Sequence, residues 1–179
     1  MNIETERFGT LELSPDEIIT FPDGVPGFEG FRQYTIVAHQ SPLRSSASPF
    51  QWIQSTEKPE LAFLAVDPRH FFPEYEASVS RTDLESVGSV TLSSIQVLVL
   101  LTVPPNDPRG ITANLLAPII MNKINRCAKQ IIINSDKYGL RHRLVAETYA
   151  QTASVSCVPH SKTSRSDEAS SVSRERLPA

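Results

Sequence analysis

The chain has 179 residues, 40% of them hydrophobic and 21% charged, with a net charge of −3. That length suits one globular domain with an appendage and excludes two full cores. No run approaches the roughly 18–20 apolar residues that a membrane helix needs, and the acidic balance argues against a binder of phosphate backbones, which requires a basic stripe.

The charge is unevenly placed. Residues 1–150 carry 17 acidic and 13 basic side chains, a sum of −4, whereas residues 151–179 carry 3 and 4, a sum of +1. The N-terminus, Met1-Asn2-Ile3-Glu4, has neither a basic nor an apolar leader region, so no secretory signal is expected. Two cysteines, Cys127 and Cys157, are too few for a disulfide framework and fit a reducing, cytoplasmic setting.

In chain order, short runs rich in β-branched and aromatic residues predict strands at Ile18–Phe21, Tyr34–Val37, Phe50–Ile53, Leu61–Val66, Ile95–Val103 and Gln130–Ile133. Breakers separate them, among them Pro22-Asp23-Gly24, Pro26-Gly27, Asp67-Pro68 and the Pro104–Pro108 cluster. Two short helices are expected. One is at Thr82–Glu85, where Thr and Glu have capping-box spacing; the other is at Lys123–Ala128, with Asn122 as N-cap. From Thr152 to Ala179 there is no aromatic residue, and ten residues are Ser or Thr. Such a segment buries too little apolar area to offset its ordering entropy, so residues 151–179 read as a disordered tail. The body, residues 1–150, reads as mainly β: a small antiparallel β-barrel-like domain with one or two short helices.

Three segments are candidates for function. Phe21-Pro22-Asp23-Gly24-Val25-Pro26-Gly27-Phe28-Glu29-Gly30-Phe31 predicts a rigid, proline-braced loop. Its rings at Phe28 and Phe31 either seal one end of the barrel or present contacts to a partner at low entropic cost. Asn114-Leu115-Leu116-Ala117-Pro118-Ile119-Ile120-Met121-Asn122 has a central proline that fits an edge strand or two strands joined at a kink. Asn114 and Asn122 can satisfy backbone groups that the kink frees, and an edge is a docking site for an incoming strand. Phe50-Gln51-Trp52-Ile53-Gln54-Ser55 holds the single tryptophan, expected in the core, and is followed by Leu61–Pro68.

Catalytic readings find little support. Cys127, His142 and Asp136 are residue types of a cysteine hydrolase, but no glycine-rich elbow precedes Cys127. Cys157 and His160 are two potential metal ligands where a closed zinc site needs four. No phosphate-cradling glycine loop is present. A nucleic-acid-binding barrel of the oligonucleotide-binding type, which would bind RNA directly, is the competing class. It would use Phe50, Trp52 and Phe63 beside a basic patch of Arg126, Lys129, Arg141 and Arg143.

Taken in order, several motifs resemble the flagellar assembly factor family FliW over residues 1–150. They are Arg7-Phe8-Gly9, Ile19-x-Phe21-x-x-Gly24-Val25-Pro26-Gly27-Phe28-Glu29, Trp52-Ile53-Gln54-Ser55, Ala62-Phe63-x-x-x-Asp67-Pro68 and Asn114-Leu115-x-Ala117-Pro118-Ile119-x-x-Asn122. The tail and the loop Ser41–Pro49 lie outside the resemblance. It implies a cytoplasmic protein with no catalysis, no cofactor and no metal. The implied partners are flagellin and the RNA-binding translational regulator CsrA, which the protein antagonises so that flagellin synthesis follows filament assembly. No direct nucleic acid, membrane or small-molecule substrate is implied. The motif positions carried forward as partner-binding candidates are Phe21, Gly24, Pro26, Gly27, Phe28, Glu29, Asn114, Pro118 and Asn122.

Overall fold

A computed structural model describes residues 1–39 and 48–144. The Ser-rich tail, Cys157, His160 and residues 41–47 of the loop at 41–49 lie outside the described residues.

The described chain is mainly β. Strands β1 (Asn2–Thr5) and β2 (Gly9–Glu12) form a separate antiparallel hairpin. The larger sheet contains β3 (Ile18–Thr20), β4 (Gln33–Ala38), β5 (Phe50–Ser55), β6 (Ala62–Val66), β7 (Ile95–Thr102), β9 (Ile119–Asn122) and β10 (Ala128–Gln130). Its order is β10-β9-β7-β6-β5-β4-β3, antiparallel throughout. Short β8 (Thr112–Ala113) pairs with the far end of β7, and β11 (His142–Arg143) pairs with β8.

The two ends of the main path approach each other. One parallel bridge joins Thr20 to Cys127, with the Thr20 N–H donating to the Arg126 carbonyl at 3.0 Å. A parallel ladder continuing from there would need an N–H at position 22, and Pro22 has none. The fold is therefore barrel-like, closed by one bridge and not by a strand pair.

Residue alternation divides the core in two. Ile19, Tyr34, Ile53, Ala65, Leu98, Ile119 and Met121 pack together in one cluster. Their sequence neighbours Val66, Val99 and Ile120 pack with Phe50, Tyr75, Val87 and Leu115 in the other. Successive strand residues face opposite sides of a sheet, so β7 and β9 are buried on both. This is why Val97–Leu101 reads as a continuous apolar run, although antiparallel sheets usually alternate.

The N-terminal hairpin covers a third surface, and here the expected core tryptophan is corrected. Trp52 is only partly buried. The Arg7 guanidinium stacks 4.2 Å from its ring centroid, and Phe8 meets it edge-on at 6.0 Å. Ile53 is the residue of that pair that enters the core. Nearby, the buried Gln54 amide nitrogen lies 2.9–3.4 Å from the carbonyls of Ser55, Lys58, Pro59 and Leu61, which pins the connection from β5 to β6.

Helix predictions are half right. The helix α1 (Arg81–Ser86) exists, but its capping box is Ser80 with Asp83, two residues before the expected pair. No helix forms over Lys123–Ala128. The Asn122 side-chain oxygen accepts from the Ile124 N–H at 2.9 Å, and the Arg126 N–H closes back on the Asn122 carbonyl. Arg126 then takes a left-handed φ of 59°, which reverses the chain into β10. Helix period never had a chance to develop over so few residues.

The segment around Pro118 is also corrected: it is not a sheet edge. Strand β9 lies between β7 and β10, and Pro118 precedes its first residue, where no ladder donor is required. The alternative of two strands joined at a kink, β8 and β9, is what forms. The 3%-exposed Asn122 also donates to the carbonyls of Val87 and Gly88, both at 3.1 Å, and so fastens the end of α1 to the sheet. Replacing Asn122 with Ala should cost about 2 kcal/mol, since three backbone groups lose a partner; a denaturant unfolding midpoint measures it.

Candidate functional site

The proline-braced loop is three consecutive β-turns. The Gly24 N–H donates to the Phe21 carbonyl at 2.9 Å, the Phe28 N–H to Val25 at 2.7 Å, and the Phe31 N–H to Phe28 at 3.0 Å. At the base, the Phe21 N–H donates to the Arg32 carbonyl. The middle turn has Pro26 at its second position and Gly27, with φ +85°, at its third, the arrangement of a type II turn. The Gly27 N–H, which such a turn leaves free, donates to the Glu29 carboxylate at 2.8 Å. That bond holds the Glu29 carboxyl below the usual glutamate range.

Gly24 is fixed more tightly than Gly27. Its φ is +73°, and a Cβ at this position would sit 2.5 Å from the Glu29 Cα. The loop thus folds back on its own backbone at Gly24, where no side chain fits.

An aromatic row connects the loop to the interior. Phe28, 37% exposed, meets Phe63 edge-on at 5.2 Å, Phe63 lies 6.2 Å from Tyr34, and Tyr34 meets Phe21 at 5.2 Å. Of the two rings weighed from the sequence, Phe28 is exposed but rests on Phe63 and Phe31 is partly buried, while Phe21 lies in the core. Glu57 braces the loop base by accepting from the backbone N–H groups of Arg32 and Gln33. The Lys58 ammonium lies 5.4 Å from the Phe31 ring centroid. Exposed Asp23 pairs with Lys129 of β10 at 3.6 Å, an ion pair of small energetic weight.

Of the nine candidate residues, the structure exposes four together: Pro26, Gly27, Phe28 and Glu29. Phe21, Gly24, Pro118 and Asn122 are buried, and their roles are internal. Asn114 is partly buried, and its side-chain oxygen accepts from the Ala117 N–H at 3.0 Å. The kinked segment does not join the loop surface; its ends lie at opposite ends of β9. The stack of exposed Arg7 on partly buried Trp52 is absent from the partner-binding candidates. Its signal was the alternation that turned Trp52 away from the core.

The cysteine and metal readings gain no support from the described residues. Burial, aided by the Asp23 charge, pushes the Cys127 thiol above the usual cysteine range, opposite to an activated nucleophile. His142 accepts the Gly139 N–H at Nε2, 2.7 Å away, in an aromatic pocket of about 310 Å³ lined by Phe72, Tyr75 and Tyr138. Among the described residues, no group of three or more His, Cys, Asp or Glu side chains is arranged to hold a metal ion. The basic patch is likewise dispersed: Lys129 lies in β10, beside β9 at one end of β7, and Arg143 lies in β11, beyond β8 at the other. Phe50 is buried, and Trp52 and Phe63 are partly buried against Phe8 and Phe28, so these three rings do not form an open platform for bases.

The family model described as FliW protein matches residues 2–144. The chain belongs to the FliW family. The flagellar assembly factor FliW of Moorella thermoacetica is 36% identical over 155 residues, covering 87% of this chain and 95% of that protein. The FliW of Desulfitobacterium hafniense is 40% identical over 153 residues, covering 84% and 95%. A crystal structure of a flagellar assembly factor FliW superposes with a TM-score of 0.70 at 32% identity, over 80% of this chain and 96% of that one. This is a family of assembly factors and not of enzymes, and no described helix is long and apolar enough to cross a membrane.

Two predictions follow from the loop and its aromatic row. Gly24→Ala should destabilise the protein by about 2–3 kcal/mol through a strained φ and the Glu29 clash, against about 1 kcal/mol for Gly27→Ala, where the space is open; paired unfolding curves compare them. The Tyr34 hydroxyl is buried without a hydrogen-bond partner among the described residues, and burial pushes its pKa up to about 12. A native pKa above the ordinary 10.0 means the folded state keeps the proton that the unfolded state loses. Stability should be intact below pH 10 and fall between pH 10 and about 12. Tyr34→Phe should flatten part of that fall and leave neutral-pH stability unchanged or higher.

Proposed function

We propose that this chain acts in the cytoplasm as a flagellar assembly factor that binds flagellin and a CsrA-type translational regulator in mutually exclusive complexes. Free flagellin occupies the protein, the regulator is then free to repress flagellin synthesis, and export of flagellin releases the protein to antagonise the regulator again. Such a cycle needs binding alone, without catalysis or cofactor. The observation that carries this reading is the FliW match across residues 2–144. The rigid loop supports it: Pro26, Gly27, Phe28 and Glu29 are exposed on a framework already ordered by three turns, so docking there costs little conformational entropy. The net charge of −4 over residues 1–150 favours encounter with basic partner surfaces.

The full-length chain, mixed with flagellin and the regulator of its own source, should form each complex with a Kd of about 1 µM or tighter, and each partner should displace the other. Phe28→Ala combined with Glu29→Lys should weaken at least one complex by about tenfold or more, since aromatic anchors dominate interface energetics. Truncation after Gln151 should leave both intact. Isothermal titration reads all three; absence of either wild-type complex at micromolar concentration defeats the assignment.

A further inference from the structure

Strand β5 ends at Ser55, opposite Tyr34 of β4. Beyond that pair, the N–H groups of Arg32 and Gln33 donate to a side chain and not to a strand. One carboxylate oxygen takes both: Glu57 Oε2 accepts from Arg32 at 2.5 Å and from Gln33 at 2.8 Å. The Gln33 carbonyl accepts in turn from the Thr56 N–H at 2.9 Å and the Thr56 hydroxyl at 3.2 Å. An exposed glutamate is ordinarily a solvated surface charge. Glu57 instead extends the sheet where its strand has stopped.

The two residues it holds form the exit of the three-turn loop. The loop closes where the Phe21 N–H donates to the Arg32 carbonyl at 2.8 Å, and its last turn ends at Phe31, directly before Arg32. Glu57 is itself carried on fixed backbone. The Ser55 hydroxyl oxygen accepts from the Glu57 and Lys58 N–H groups at 3.2 and 3.1 Å. Buried Gln54 reaches the Lys58 and Pro59 carbonyls from beneath. The same connection sets the Lys58 ammonium 5.4 Å from the Phe31 ring centroid.

We propose, on the reading of the loop tip as a docking surface, that Glu57 is the positioning residue of that surface. Its carboxylate fixes the loop exit and so keeps Pro26, Gly27, Phe28 and Glu29 ordered before any partner arrives. Hydrogen bonds to an ionised acceptor are the strong ones, and freeing two backbone donors returns conformational entropy to the loop. Binding must then remove that entropy again, so affinity depends on a residue that the partner need not touch.

NMR order parameters of the full-length chain without partner test the ordering apart from overall stability. The Gly27, Phe28 and Glu29 amides should stand near about 0.85 in the native chain and in Glu57→Gln, whose amide oxygen still accepts, and fall toward about 0.6 in Glu57→Ala. Val99 in β7 should stay near about 0.85 in all three. By titration calorimetry, the complex that Phe28→Ala with Glu29→Lys weakens should lose about fivefold or more in Glu57→Ala, with the loss in entropy, and less than about twofold in Glu57→Gln. Unchanged loop order in Glu57→Ala, a Glu57→Gln loss equal to that of Glu57→Ala, or full affinity with a disordered loop would overturn the proposal. Absence of any complex with the native chain would sink the functional reading instead, and the order parameters would still decide whether Glu57 fixes the loop.

Discussion

Closure by a single bridge, between Thr20 and Cys127, is the constraint on which the rest of this molecule depends. The bond from Thr20 to the Arg126 carbonyl joins strands at opposite ends of the sheet path. It forms because Arg126 adopts a left-handed turn that aims its carbonyl across the seam. Pro22 then ends the closure after one step. From that point the chain is released into the three-turn loop, and β10 is left with a backbone edge. The loop surface and the open edge are thus two outcomes of one missing N–H.

Packing makes so economical a closure sufficient. The alternation of β6, β7 and β9 feeds two apolar clusters, so these strands are held from both sides and do not rely on the seam. Asn122 ties the outer layer to the sheet by its side chain, and Gln54 does the same for the connection between β5 and β6. Each of these side chains is buried and directs its amide nitrogen to backbone carbonyls, which offsets the cost of leaving water, although the Gln54 Oε1 has no hydrogen-bond partner among the described residues.

Much of this was legible in the sequence, for reasons that differ by element. Strands with β-branched runs and proline–glycine punctuation, such as Tyr34–Val37 and Ile95–Val103, declared themselves locally, and so did the turn chemistry around Pro26-Gly27. What escaped was information that only tertiary pairing supplies. Pro118 suggested an edge because a proline inside a ladder is costly, but the residue stands one step before the ladder begins. Asn122 suggested a helix cap, yet the same side-chain geometry serves a reversal when the following residues must return to a sheet. Trp52 suggested a core residue by size alone, and the hairpin that covers it is distant in sequence. Of the candidate site, the exposed tip was legible as a motif, while the division into exposed and buried members was not.

Gln54 also bears on how such a sequence can drift. Its amide nitrogen stands within reach of four carbonyl oxygens at once. Asparagine would fall a methylene short, glutamate would turn a negative charge toward those same oxygens, and lysine would bring a full charge into a site with no exposure. The neighbouring connection, Thr56 to Glu60, is mostly exposed, and within it the side-chain demand falls mainly on Glu57, which accepts from the Arg32 and Gln33 N–H groups. A lineage could therefore recolour the rest of that loop while Gln54 and Glu57 stay the same, so variation and constancy would be found side by side within seven positions of the chain.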